Sequence, residues 1–455
     1  MSAPRLYGAG AARGACALLA LAAIAIAAPG AARAATPDSS AAAPAAPFTF
    51  ADFSWVPGNA GASERPLTAG PLTGEFRVDD AYHYSFSNPV DGTISGSSEA
   101  FRHAEFQLTQ LGIGGDYYYK NVMGRLMTQF GLYSTATPRN DASPARGQWQ
   151  LADAYRYLSE AYGGIHFNAL HGVNVQAGIF MSYIGLWSYY NADNWTYQPS
   201  YVSSNTPWFF NGVRVQIFTS DKLKIEPWLV NGWQSYGRFS DAPGGGGQIL
   251  WRPNGSFSVV GNQYIGKDAL SNLNRVRVHT DDSVMGKYLD RPEHWIDKAA
   301  WSLTMDAGGE SGGGATFQDQ YFLGFMAYNR LWFAHDRYGF TIGGGGINNP
   351  GRYLVLMPPI NGATAFSGTP YFSENPGDPF KAWDMQVTTD WAPSPFVTIR
   401  LEYNHRHANV PYFAGRGGVT PPGGNQGAPG SAVSGWSPDL VRDENRLTAA
   451  MLIKV

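Results

Sequence analysis

The sequence predicts an all-β chain: a transmembrane antiparallel β-barrel of about 16 strands (roughly 14–18), with short turns at one rim and long loops at the other. Three observations predict it. Apolar and polar residues alternate with period two from Glu75 to Val455, as half-buried strands require. The links between these runs are short and long in turn. Finally, the 455 residues are only 15% charged but 14% aromatic, with 25 Tyr, 25 Phe and 14 Trp, whereas an ordinary soluble domain carries about 25% charge. The chain is too polar for a bundle of membrane helices and too lightly charged for a typical soluble enzyme. A single cysteine argues against a disulfide-stapled fold, and a net charge of -3 gives a nucleic-acid partner no electrostatic support.

From the N-terminus, Arg5 and Arg13 precede an apolar run from Ala15 to Ala28, then Pro29-Gly30 and Ala32-Arg33-Ala34. That order is a secretory signal peptide. Its run of about 14 residues falls short of the roughly 20 that span a bilayer. Residues 1–34 are expected to be removed on export, and Cys16 with them. Residues 35–47 are Ala/Pro/Ser-rich and read as a flexible leader. Phe48–Trp55 is strand-like until Pro57 cuts it short, so residues 35–74 are placed outside the barrel and 75–455 within it.

Candidate strands fall near 75–86, 102–112, 122–133, 156–168, 173–183, 210–219, 222–233, 246–252, 256–265, 275–288, 297–307, 320–332, 338–346, 382–391, 396–406 and 442–455. In the first, Phe76, Val78, Tyr82 and Tyr84 alternate with polar neighbours, and Asp80 breaks the apolar row. Trp383, Met385, Val387, Thr389 and Trp391 oppose Asp384, Gln386, Thr388 and Asp390. Short links lie at 168–172, 220–221, 252–255, 334–337 and 392–395, and long ones near 134–155, 184–209, 234–245, 347–381 and 407–441. A soluble sandwich gives no reason for that parity, but a barrel in an outer membrane does. Trp383 and Trp391 are spaced about 26 Å along one face. At a tilt of about 40° they would flank most of the roughly 25 Å apolar band.

A barrel this wide cannot be filled by its wall side chains and encloses an aqueous channel. The inward rows supply candidate pore-lining residues: Arg125, Gln129, Arg214, Gln216, Lys224, Glu226, Arg275, Arg277, Asp281, Asp384, Arg400, Glu402 and Arg406. Opposed basic and acidic walls would orient dipolar solutes and tune ion preference. The segments 347–381 and 407–441 are long and apolar enough to be an inward plug or an outer lid. The segment 184–209 packs Trp187, Tyr189, Tyr190, Trp195, Tyr197, Tyr201 and Trp208, which read better as an aromatic girdle than as a sugar-stacking surface.

Other chemistry is poorly supported. Gly244–Gly247 and Gly343–Gly346 lack the Lys-Ser/Thr of a phosphate cradle. His405 and His407 share a face without a third ligand nearby, so no metal is expected. No catalytic residue and no cofactor is assigned.

Four stretches carry a resemblance: Phe48–Trp55, Pro138–Trp149, Pro207–Arg214 and Lys224–Trp233, the last ending Val230-Asn-Gly-Trp233. With them the mature chain resembles the OmpL-like β-barrel porin family over nearly its whole length. One departure is the end, Leu452-Ile-Lys-Val455, where outer-membrane strands usually close on an aromatic residue. The resemblance implies an outer-membrane channel. The reading from sequence is a porin of the Gram-negative outer membrane that passes small hydrophilic solutes by passive diffusion. Its partners would be lipid, those solutes and, as a homotrimer, two further copies. Three other readings stay open: a carbohydrate-selective channel, a barrel-embedded hydrolase, and a closed structural or adhesive barrel.

Overall fold

The computed structural model describes residues 47–455 apart from 61–63, 142, 144–146, 239 and 271. The expected signal peptide and most of the expected leader lie outside the described residues. Sixteen strands form the wall: β1 (Leu72–Ser85), β2 (Phe106–Tyr119), β3 (Val122–Thr128), β4 (Leu158–Phe167), β5 (Val173–Met181), β6 (Phe209–Ser220), β7 (Leu223–Val230) and β8 (Gly244–Asn254), followed by β9 (Phe257–Gly266), β10 (Val276–Asp290), β11 (Ile296–Ser311), β12 (Tyr321–Phe333), β13 (Tyr338–Asn348), β14 (Lys381–Ser394), β15 (Val397–Ala408) and β16 (Asp443–Lys454). Each pairs antiparallel with its neighbour, and β16 pairs with β1. The closed 16-strand barrel expected from sequence is the observed fold, and closure leaves no unpaired edge.

The wall is inside out relative to a soluble protein. Along β14 the exposed residues are Trp383, Met385 and Trp391, and the buried ones are Asp384, Gln386, Thr388 and Asp390. Lipid accepts the first set, while the second turns inward where polar groups find partners. No helix among the described residues is long and apolar enough to cross a membrane.

The rims are unequal. Two-residue turns join β2 to β3, β6 to β7, β8 to β9 and β14 to β15, and links of four or five residues complete the short rim. Lys120 takes a positive φ of 58° in the first of these turns, which lets β2 continue to Tyr119 rather than stop at the 112 expected. At the other rim, β3 ends at Thr128 instead of 133, because Gly131 at φ 100° turns the chain into a loop. Asp80 sits at a bulge: its β2 partner is Leu108 while that of Asp79 is Gln110. The bulge keeps Asp79 buried toward the lumen.

Candidate functional site

The barrel interior is occupied. The loop between β5 and β6, residues 182–208, folds into it: Trp195, Thr196, Tyr197, Gln198 and Ser200 are all fully buried. The girdle expected for these aromatics is therefore corrected. Away from its short helical turns, this loop has no regular structure to satisfy its own backbone. Buried amides and carbonyls must then bond to side chains, and the wall supplies them.

Arg400 donates to the carbonyls of Asn191 at 3.1 Å, Asn194 at 2.7 Å and Thr196 at 2.8 Å. Glu402 accepts from the backbone amides of Tyr197 at 2.6 Å and Gln198 at 2.9 Å. Asp384 accepts from the amide of Tyr201 at 2.6 Å and from Ser200 Oγ at 3.1 Å. Arg406 stacks on the Tyr201 ring at 4.0 Å and donates to the carbonyl of Gly96. From β1, Asp79 accepts from Asn191 Nδ2 at 2.7 Å and Tyr197 Oη at 3.0 Å. Asp193 of the loop is held by Lys454 at 2.7 Å and Arg77 at 3.1 Å.

These contacts gather on β1 and β14–β16, and four of the thirteen residues singled out from sequence thus hold the loop. Arg214, Gln216, Lys224 and Glu226 lie on the wall opposite. Lys224 pairs with Glu226 at 2.6 Å, and Gln216 donates to Glu226 at 2.8 Å. Arg214 spreads over Phe180 at 4.5 Å, Tyr162 at 4.9 Å and Trp228 at 5.2 Å. Arg125 bonds Glu75, Glu160 and Asp116 at 2.9, 2.8 and 3.1 Å. Gln129 lies just beyond β3 and accepts from Tyr189 Oη at 2.6 Å. Asp281 accepts from Asn262 Nδ2 at 3.3 Å. Arg277, with Arg275 just before β10, sits at the long-loop mouth and pairs with Glu310 at 2.7 Å.

Four further segments enter or cover the lumen. In the loop after β1, Ile94–Ala100 are buried, and Gln198 donates to Glu99. Burial pushes the Glu99 carboxyl up to about 7. The two long segments, 349–380 and 409–442, lie across the mouth. Val355, Phe372, Phe380, Tyr412 and Phe413 share one apolar cluster with Tyr201 and Val202 of the inserted loop. Asn361 donates to the carbonyl of Ala428 at 3.0 Å and ties the two together. Both segments thus pack on the inserted loop.

The fourth segment, residues 47–60, carried no assigned role in the sequence. It forms successive turns rather than a strand. It enters at the short-turn rim, where the Phe48 amide donates to the carbonyl of Asp221 at 2.8 Å and Trp55 Nε1 to that of Gly255 at 3.0 Å. Arg252 stacks on Phe53 at 4.2 Å. The Ala60 amide then reaches the carbonyl of Asp193 on the inserted loop at 3.0 Å. Trp55 is fully buried. Nothing in the sequence signals these contacts beyond an apolar run at the end of a polar leader, because its partners lie more than a hundred residues away.

Among the cavities left, two face opposite rims. One, about 1200 Å³ counted to its opening, faces the short-turn rim between Ser54, Asn194, Lys298, Arg330 and Arg400. The other, about 850 Å³, faces the long-loop mouth between Thr206, Trp233, Arg277 and Tyr353. They share no lining residue, and both touch the inserted loop. His405 and His407 lie outside this system, bonded to Asn445 at 2.8 Å and Asp443 at 2.7 Å beside Trp383.

Residues 72–307, more than half of the chain, match the family described as "Putative beta-barrel porin-2, OmpL-like". No curated protein matches the chain. Solved structures with a similar shape include the trimer form of OmpT of Vibrio cholerae, at 10% identity and a TM-score of 0.46, covering 84% of this chain and 99% of that one. Another is the outer membrane channel DcaP of Acinetobacter baumannii, at 11% identity and 0.48, covering 84% and 97%. A third is an anion-selective porin from Comamonas acidovorans, at 8% identity and 0.49, covering 84% and 99%.

Proposed function

The chain belongs to the OmpL-like β-barrel porin family and is an outer-membrane channel for small solutes; from that premise we propose that transport is passive diffusion along a charged lumen narrowed by its own loops. The observation that supports this reading is the use of the wall charges. Asp79, Asp384, Arg400 and Glu402 are buried against the inserted loop, whereas the side chains of Arg125, Arg214 and Lys224 keep 11–15% exposure. The route we propose runs from the extracellular cavity past that second wall to the cavity at the short-turn rim, which is taken as periplasmic and is lined from the other side by Arg330 and Arg400. The inserted loop and residues 47–60 stand in series on it. The thirteen residues thus divide in role: Asp384, Arg400, Glu402 and Arg406 anchor, and the others line the route or its mouth.

The reading includes no enzymatic step, and the apolar outer wall suits side-by-side association as a homotrimer. Carbohydrate selectivity through the aromatic loop has less support, since those rings pack on one another: Tyr133 and Tyr189 lie 4.4 Å apart and Trp187 and Tyr328 4.7 Å. Planar-bilayer recording of the purified protein is the test. Discrete conductance steps with weak ion preference are expected. A barrel that inserts yet gives no step would instead be the closed structural barrel. Heat-sensitive slow migration on a gel, collapsing to the monomer on boiling, is the expected mark of the trimer.

A further inference from the structure

The cavity at the long-loop mouth is lined by five charged side chains, and they are not all matched. Arg277 is satisfied: it pairs with Glu310 at 2.7 Å and Asp268 at 3.7 Å, between the rings of Trp233 at 5.1 Å and Tyr353 at 5.6 Å. Arg139 and Glu374 are different. Among the described residues neither has an ion-pair partner. Arg139 makes one side-chain hydrogen bond, to the carbonyl of Met357 at 3.3 Å. The cation nearest in effect to Glu374 is Arg352, whose guanidinium is spent on the carbonyls of Pro379 at 3.1 Å and Ser373 at 3.0 Å. Burial, with Glu310 close by, pushes the Glu374 carboxyl up to about 8.

The same walls hold polar atoms with no partner. Asn205 Nδ2, Gln320 Oε1 and Tyr353 Oη are buried and unbonded, and the Asn205 and Gln320 side chains are more than nine-tenths buried. Leu354, Leu356 and Met357 supply an apolar surface between the charges. The cavity opens to the long-loop mouth, so a solute can reach these groups from outside.

An unpaired cation and an unpaired carboxyl in one partly dry site each carry a desolvation cost that a ligand can relieve. A simple ion relieves one of them, and a neutral sugar brings an opposite charge to neither. We propose that this cavity binds a small zwitterion, an α-amino acid or a dipeptide, with its carboxylate at Arg139 and its ammonium at Glu374. The aliphatic side chain lies against Leu354, Leu356 and Met357, and Asn205, Gln320 and Tyr353 are free for a peptide amide. As a stop on a permeation route the site rests on the channel reading, but as a binding site it does not.

Fluorescence titration of the detergent-solubilised full-length protein tests it, since Trp233 is part of the wall. The probes are leucine, the dipeptide Ala-Leu, N-acetyl-Ala-Leu, leucinamide and glucose. Saturable binding is expected for leucine, Ala-Leu or both, and the stronger of the two identifies the solute. Blocking either terminus is expected to weaken binding on the order of tenfold or more, the effect of one charged hydrogen bond. Arg139→Gln should erase the difference between acid and amide, and Glu374→Gln the difference between free and acetylated amine. Equal affinity for the blocked probes, equal competition by glucose, or no binding at all would overturn the assignment, and the comparison in the unsubstituted protein stands if a variant fails to fold. Conductance without zwitterion binding removes the site and leaves the channel. Binding without conductance does the reverse.

Discussion

Arg400 shows how a lumen charge is used at the scale of one residue. It is buried, and its guanidinium pairs with Asp390 at 2.7 Å while three of its bonds go to loop carbonyls. Desolvating such a group is costly, and only complete hydrogen bonding offsets the cost. Arg400→Gln would leave those carbonyls short of donors and Asp390 with Arg330 alone, which sits 2.8 Å away. A loss of about 3 kcal/mol in stability is expected, read as a lower midpoint of urea unfolding in detergent. A midpoint equal to that of the parent would mean that water replaces the guanidinium at no cost. That Arg400 faces inward was legible from its place between Ile399 and Leu401. Its partner was not legible, because it binds main-chain atoms about two hundred residues earlier, and main-chain atoms leave no mark in a sequence.

The elements divide the same way. Strands were readable because lipid demands an apolar outer row and the lumen a polar inner one, so each strand carries the rule in its own residues. The loop at 182–208 was not. Tyr and Trp suit any place where a ring lies dry and its polar tip meets a partner, which describes both a membrane girdle and a wall lined with carboxylates. Residues 47–60 read as strand-like only as far as Trp55 and form turns instead, and Gly58 is the point where their fit is decided. It has φ +78°, and a Cβ there would stand 2.4 Å from the carbonyl oxygen of Leu186 on the inserted loop. Gly58→Val should therefore dislodge the segment. The one cysteine of the sequence, Cys16, lies in the signal peptide expected to be cleaved, so Ser54→Cys gives a single thiol at the edge of the short-turn cavity. Maleimide labelling of that thiol is expected to be slow in the parent and several-fold faster with Gly58→Val. Equal rates would show that the segment does not depend on this close approach.

For the whole molecule, what matters is that the proposed route puts two obstructions in series. The inserted loop closes the middle of the barrel from the β14–β16 side, and residues 47–60 cross the short-turn end to meet it at Asp193. Barriers in series add as resistances, so removing the smaller one changes little while the larger remains. Deleting residues 47–60 alone, or loosening the loop alone with Arg400→Gln and Glu402→Gln, should each raise single-channel conductance modestly. The two changes together should raise it by more than the sum of the separate gains. Contact between the obstructions strengthens this expectation, because freeing the Ala60–Asp193 bond leaves the loop held on the wall side only. The measurement is four conductances in one salt solution, for parent, deletion, loop variant and combination. A combination equal to the larger single effect would mean that only one segment stands on the path. A deletion that by itself gives the full conductance would place residues 47–60 as the sole barrier and leave the loop a fixed part of the wall.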